Sequence, residues 1–302
     1  MNDASGSREN AGGSQILPAV PKRFILIHYH IFKNAGSTIE YALERAFGKQ
    51  FVRLHGPRAD SLLDNGAVTK FLAGRPEIVA VSSHHLLYPK PVDPGFVFFD
   101  LCFLRDPLQR LQSVYKYLRR VAPVDGLGYR AKEMDLAAFL DLLVREHPQV
   151  VNDVQVNMLA NGGVYTRPPS RTDLQVALDN LRTVSVLGVV DLFDESLVAA
   201  EYFLRPAFPN LQFQYVKQNV SPTDGDTSVF PGPLEERLGA GLHAQLRRLN
   251  ELDYALLDSA KNEVLRRLAL LPSPEKRLAD FASRCETLRL AHESIESVTK
   301  DN

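Results

Sequence analysis

Residues 24–27 form an unbroken apolar run just after Pro21, and the chain then passes through a short segment holding Gly36 into a helical periodicity. Ile39, Ala42, Leu43, Ala46 and Phe47 recur at i, i+3, i+4, i+7 and i+8, which is one face of an amphipathic helix. An apolar run without alternation is the pattern of a strand covered on both faces. A strand of this kind leading directly into a helix commits the chain to a parallel sheet with helices on either side, since parallel neighbours need a crossover between them. Gly48 stands where the end of that helix calls for positive φ.

The unit repeats along the chain. Short or buried strands are predicted at 51–55, 77–84, 96–105 and 185–190, from β-branched and aromatic runs. Helices are predicted at 61–72, 107–120, 135–146, 150–161, 172–182 and 195–204, with long amphipathic helices between Leu234 and Leu270. Asp106 is a natural N-cap for the second of these, with Pro107 at its first position. The fold class is therefore α/β, a single domain with a central parallel β-sheet flanked by helices. Residues 1–20 read as a flexible lead-in, 21–271 as the domain and 272–302 as a helical tail, with a long polar loop at 218–233.

Composition narrows the class of function. With 45% hydrophobic and 24% charged residues in 302, the chain has material for a packed core and is not a disordered or collagen-like protein. Lys+Arg 35 against Asp+Glu 36 leaves a net charge of −1, so no global field points to nucleic acid. Cys102 and Cys285 are too few for a disulfide framework or a cysteine-rich zinc site. The densest apolar stretch, Phe96 to Leu104, is interrupted by Asp100 and falls short of the ~20 residues that cross a bilayer. The N-terminus has neither the basic nor the apolar region of a signal peptide, so the expectation is a soluble, cytoplasmic protein.

The first strand–turn–helix holds Lys33, Asn34, Ala35, Gly36, Ser37 and Thr38. Orphan N–H groups at a helix start, a glycine, two hydroxyls and an ammonium converge there as an anion site; the plainer alternative is a capped helix with a surface lysine. The order differs from the ATPase P-loop, in which the lysine follows the second glycine. Arg105 ends the 96–105 strand and Ser113 lies on the following helix, so both open onto the same edge of a parallel sheet as the first turn. Arg105 offers a planar fork for a phosphate and Ser113 a hydroxyl; alone, the pair also reads as a surface charge and a neutral helix residue. His28-x-His30 and His84-His85 lack a third ligand at metal-site spacing. No acidic run follows an apolar strand in the manner of a magnesium-binding aspartate, Asp106 being explained as a cap.

Together HIFKNAGSTIEYAL and CFLRDPLQRLQSVYKYL resemble the two nucleotide-binding signatures of PAPS-dependent sulfotransferases, most closely the carbohydrate branch with heparan-sulfate 2-O- and 6-O-sulfotransferases and bacterial relatives. NDVQVNMLANG, VLGVVDLFDESL and LRRLNELDYALLDSAK follow in the family's order, so the resemblance spans roughly residues 24–270. It implies a P-loop nucleotide-kinase-like sulfotransferase fold and transfer of a sulfuryl group from PAPS to a hydroxyl, leaving adenosine 3′,5′-bisphosphate, with no metal. It implies that residues 33–38 hold the 5′-phosphosulfate, that Arg105 and Ser113 hold the 3′-phosphate, and that Lys33 also acts in catalysis. Aligning Ser82-Ser83-His84 with the family's S-G-H makes His84 the base and leaves His85 to pack or to orient the acceptor. Gln155 and Asn157 fall in the family's Q-x-R/N stretch and line the nucleotide or acceptor side, or else are polar residues of an exposed helix. The resemblance also implies that Lys217 and Asn219, at the head of the polar loop, close over the 3′-phosphate. The resemblance favours a glycan or glycolipid acceptor. Two departures are Phe32, where the family usually has Pro, and Ser83, where many members have Gly. The rival readings are an ATP-dependent kinase with a P-loop-like site and a catalytically silent nucleotide-binding protein of the same fold.

Overall fold

The computed structural model describes residues 22–58, 61–121, 126–218 and 232–300. In chain order the elements are β1 (Arg23–Tyr29), α1 (Gly36–Phe47), β2 (Phe51–Arg53), α2 (Asn65–Ala73), β3 (Ala80–Ser83), β4 (Phe96–Leu104), α3 (Pro107–Arg120), α4 (Gly126–Glu133), α5 (Leu136–Glu146), α6 (Pro148–Val151), α7 (Val154–Asn161), α8 (Arg171–Thr183), β5 (Val186–Val189), α9 (Phe193–Leu204), α10 (Leu234–Leu238), α11 (Ala240–Leu249), α12 (Glu251–Ala269) and α13 (Pro274–Lys300). The five strands form one parallel sheet in the order β2-β3-β1-β4-β5. From β1 the chain crosses to the edge strand β2, comes back to place β3 between β2 and β1, then passes β1 to add β4 and β5 on the other side. The loops after β1 and β4 therefore leave adjacent strand ends in different directions and open a crevice at the C-terminal edge, the place where open α/β sheets bind ligands.

Period-two alternation along each strand sorts its side chains between two cores. Ile25, Ile27 and Tyr29 of β1 pack with Val68 and Leu72 of α2, Leu159 of α7 and Leu256 of α12. Leu26 faces the other way, with Ile39 and Leu43 of α1, Leu197 of α9 and Phe281 of α13. A third cluster is wholly helical and joins Leu111 of α3 to Phe139 and Leu143 of α5 and Leu246 of α11. Among the described residues no helix is long and apolar enough to cross a membrane.

The predicted elements recur with shifted ends, and the differences have local causes. Asp106 caps α3 by accepting from the Gln109 amide, and Gly48 ends α1 at φ 54. The helix expected at 150–161 is two, because Asp153 takes a left-handed conformation (φ 42) between α6 and α7. The stretch 234–270 breaks at Gly239 (φ 75) and Asn250 into three helices. The helix α4, in a stretch where no helix is predicted, is short and packs Ala131 into the third cluster.

Candidate functional site

The loop from β1 into α1 is built from unusual backbone. Lys33 (φ 68) and Ala35 (φ 59) both sit in the left-handed region, and Ala35 occupies the N-cap position without a side-chain cap. Among the described residues no acceptor takes the N–H groups of Ala35, Gly36 or Ser37. These amides, at the positive end of α1, are the orphan donors of a helix start. Gly36 is dictated by a close approach: a Cβ there would lie 1.7 Å from Nε2 of His30. His30 is fixed from its other side by Glu40, so it has little room to yield. Gly36→Ala is expected to cost about 1–3 kcal/mol, the usual scale for overpacking. Denaturant melts should show most of that cost disappear when His30 is also alanine.

The second arm is the end of β4. Arg105 lies beside the first loop, its guanidinium donating to the Lys33 carbonyl at 3.1 Å. Asn34 is buried and is not among the residues lining the cavity at the sheet's C-terminal edge; its amide donates to the Phe103 carbonyl (2.8 Å) and to Oε1 of Gln155 (2.9 Å). Gln155 is fully buried as well, so the expectation that it lines the cleft is corrected: it lies beneath the site. Asn157 is likewise buried, accepting from Asn161 at 3.1 Å.

The third part is a histidine cluster. Nδ1 of His84 bonds the His30 carbonyl at 2.7 Å. A carbonyl only accepts, so Nδ1 carries the proton and the neutral ring keeps its lone pair at Nε2. The His84 ring lies against that of His30, tilted by 33°, with centroids 3.6 Å apart. Desolvation, with His30 next to it, pushes the His84 pKa down to about 4. Nδ1 of His30 lies 2.9 Å from Oε1 of Glu40, which also accepts from Ser82 Oγ at 2.7 Å, while Arg53 Nε donates to Oε2 at 3.0 Å. Burial raises the Glu40 carboxyl, but the bonds from His30, Ser82 and Arg53 outweigh it and hold Glu40 well below the usual carboxylate range. Ser82 spends its proton on Glu40 and so accepts from Nδ1 of His28, 2.8 Å away. Burial, then the neighbouring His30, keeps the His28 pKa well below the ordinary value.

His28, His30 and Glu40 therefore come within metal-ligand reach of one another, and the third ligand that local spacing did not offer is supplied by α1. Their Nδ1 and carboxylate atoms are already joined through Ser82 and one another by hydrogen bonds. The cluster is complete as a proton-bonded network, with Ser82 Oγ in the bridging position.

A cavity of about 970 Å³ at the sheet's C-terminal edge gathers the three parts. Lys33, Ala35, Gly36, Ser37, Thr38, Arg105, Ser113, Lys217 and His84 all line it. His85 does not line it: its Nδ1 accepts from the Gly56 amide at 2.8 Å and its ring meets His55. Asn219 lies outside the described residues. Thr38 accepts from the Gln218 amide, which ties the segment around Lys217 to α1.

Several lining residues were not singled out from sequence. Lys116, Tyr117 and Arg120 share the α3 face with Ser113, at i+3, i+4 and i+7 from it, and helical periodicity was the available signal. Asp191, Asp194 and Glu195 line the wall after β5, correcting the expectation that no acidic run follows an apolar strand. Two of them have partners: Asp191 pairs with Lys261 at 3.0 Å and Asp194 accepts from Tyr215 at 2.7 Å.

No family model matches the chain. Over 245 residues it is 27% identical to an uncharacterized protein of Archaeoglobus fulgidus, an alignment that takes in 78% of this chain and 94% of that protein. The similarity runs across nearly the whole relative, and it carries no activity with it.

Proposed function

We propose that this chain is an O-sulfotransferase that moves a sulfuryl group from PAPS to a hydroxyl, on a glycan or glycolipid. The observation that carries the reading is that Lys33, residues 35–37 with their open amides, Arg105, Ser113 and His84, whose bond at Nδ1 leaves the lone pair at Nε2, all line one cavity. In this assignment the amides, Ser37, Thr38 and Lys33 hold the 5′-phosphosulfate, and Arg105 with Ser113 holds the 3′-phosphate. His84 takes the acceptor's proton as its oxygen bonds to sulfur, and the bond from sulfur to the bridging oxygen breaks with its electrons passing to the bisphosphate. Phe32, 39% exposed, stands edge-on to both His84 and Tyr117 and gives the acceptor side an aromatic wall suited to the C–H face of a sugar.

The acidic wall at Asp191, Asp194 and Glu195 favours a second reading, an ATP-dependent kinase that places magnesium there. Thermal shift separates the two. Adenosine 3′,5′-bisphosphate at a hundredfold excess over its Kd is expected to stabilise the fold by about 2.7 kcal/mol. ATP, with or without Mg²⁺, is expected to do less because it lacks the 3′-phosphate. Equal stabilisation by ATP with Mg²⁺ sinks the sulfotransferase reading. A labelled-PAPS assay against a panel of glycans then identifies the acceptor and excludes a silent nucleotide binder.

A further inference from the structure

Gln155 has no surface of its own, yet its side chain reaches both phosphate-binding arms. Oε1 accepts from the Arg105 amide at 2.8 Å and from Nδ2 of Asn34 at 2.9 Å. Nε2 donates to the Arg105 carbonyl at 2.9 Å and to Oδ2 of Asp253 at 3.2 Å. The orientation of the amide follows from chemistry: the Arg105 N–H can only donate and its carbonyl can only accept. All four hydrogen-bonding positions of the side chain are filled at 0% exposure. One amide thus brackets the backbone of Arg105 on both sides while holding Asn34, the residue between Lys33 and Ala35.

Asp253 anchors the arrangement from α12. It is fully buried and accepts from the amides of Gln155 (3.0 Å) and Val156 (2.8 Å), besides Nε2 of Gln155. These are first-turn amides of α7, whose N-cap, Asp153, is left-handed and makes no side-chain cap of its own. Asp253 supplies that cap from another helix. Burial raises its carboxyl, and the amide bonds and the buried Arg110 oppose the rise.

We infer that Gln155, oriented by Asp253, is a positioning residue that sets the spacing between the β1–α1 loop and Arg105, and so allows one ligand to engage both arms at once. The inference rests on the nucleotide reading of the cavity given above. Bidentate engagement is sensitive to small displacements, because the second contact is gained only where the first has already fixed the ligand. Gln155 touches no ligand, so its removal should act on the combination of arms and not on each separately.

The test is calorimetric titration of wild type, Gln155→Ala and Asp253→Asn with adenosine 3′,5′-bisphosphate and with adenosine 5′-monophosphate at one salt concentration. Wild type is expected to prefer the bisphosphate. In Gln155→Ala that preference should fall about tenfold or more, the range for losing a hydrogen bond to a charged group, while monophosphate affinity stays within about threefold. Asp253→Asn keeps the side chain's size but turns an N–H toward Nε2 of Gln155, and it should move the ratio in the same direction by less. It also serves where Gln155→Ala does not fold. In an Arg105→Ala background, Gln155→Ala should leave bisphosphate affinity nearly unchanged, since the arm it positions is gone. A wild-type preference that survives intact in both variants, or equal weakening of the two nucleotides, overturns this inference alone. A wild type that holds both nucleotides equally overturns the nucleotide reading and the inference with it.

Discussion

His84→Ala is expected to remove most sulfuryl transfer, by about 10²–10⁴ in kcat, the usual contribution of a positioned acid–base group, while leaving bisphosphate affinity nearly unchanged. The direction follows from the ring's bonds. Nδ1–H is committed to the His30 carbonyl, so the lone pair left for an acceptor hydroxyl is at Nε2. Because desolvation and His30 push the pKa down to about 4, the imidazole is already in its basic form at neutral pH. Wild-type kcat should therefore stay flat between about pH 6 and 8 and fall below about pH 5. An unperturbed histidine would place that limb near pH 6.5. The same shift bears on stability. The unfolded chain takes up protons on His84 and His28 below about pH 6.5 while the folded chain resists them. Folding stability is thus lost as pH falls through that window, and His84→Ala should flatten part of the slope. His85→Ala should keep its activity, since His85 bonds the Gly56 amide away from the cavity. A dead His85→Ala beside an active His84→Ala would reverse the two assignments.

The parts of the site legible in the sequence are those whose signal is local. An unbroken apolar strand, a glycine-bearing turn and a 3.6-residue periodicity lie within the first 48 residues, and they place Lys33 and the start of α1 without any tertiary information. Arg105 was legible for the same reason, as the polar residue ending an apolar strand in a parallel sheet. Asn34 and Gln155 were not. Their motifs named both as candidates that face the ligand, but they meet across 121 residues and nothing in the sequence says that either points inward. Glu40 was hidden in another way. On α1 it occupies a helix position that reads as exposed, and its burial depends on His30 just after β1, Ser82 from β3 and Arg53 from β2 closing over it. Local pattern reveals which loops reach the edge of the sheet. It does not reveal which polar side chains turn beneath them, because those are selected by hydrogen-bond partners that only the assembled sheet supplies.

Lys33→Ala should lower kcat by about 10²–10³, the scale for losing one donor aimed at developing charge, with a much smaller effect on bisphosphate affinity. Negative charge grows on the bridging oxygen only as its bond to sulfur breaks, so an ammonium beside that oxygen acts mainly in the transition state. The backbone argument leaves the comparison clean. Lys33 sits at φ 68, and alanine carries the same Cβ, so the substitution changes the side chain without changing the strain. The ammonium lies 4.5 Å from the centroid of the Tyr117 ring, a cation–π contact between two residues that line the same cavity as His84. Tyr117→Leu should consequently reduce kcat by less than Lys33→Ala, and in a Lys33→Ala background it should cost little more. Lys33→Arg should not restore full turnover, since a planar guanidinium spreads the charge that a compact ammonium concentrates on one oxygen. Single-turnover kinetics with labelled PAPS check all three variants. Near-normal turnover in Lys33→Ala would mean that the open amides of residues 35–37 suffice for the leaving group, and the catalytic role would pass from the lysine to the helix start.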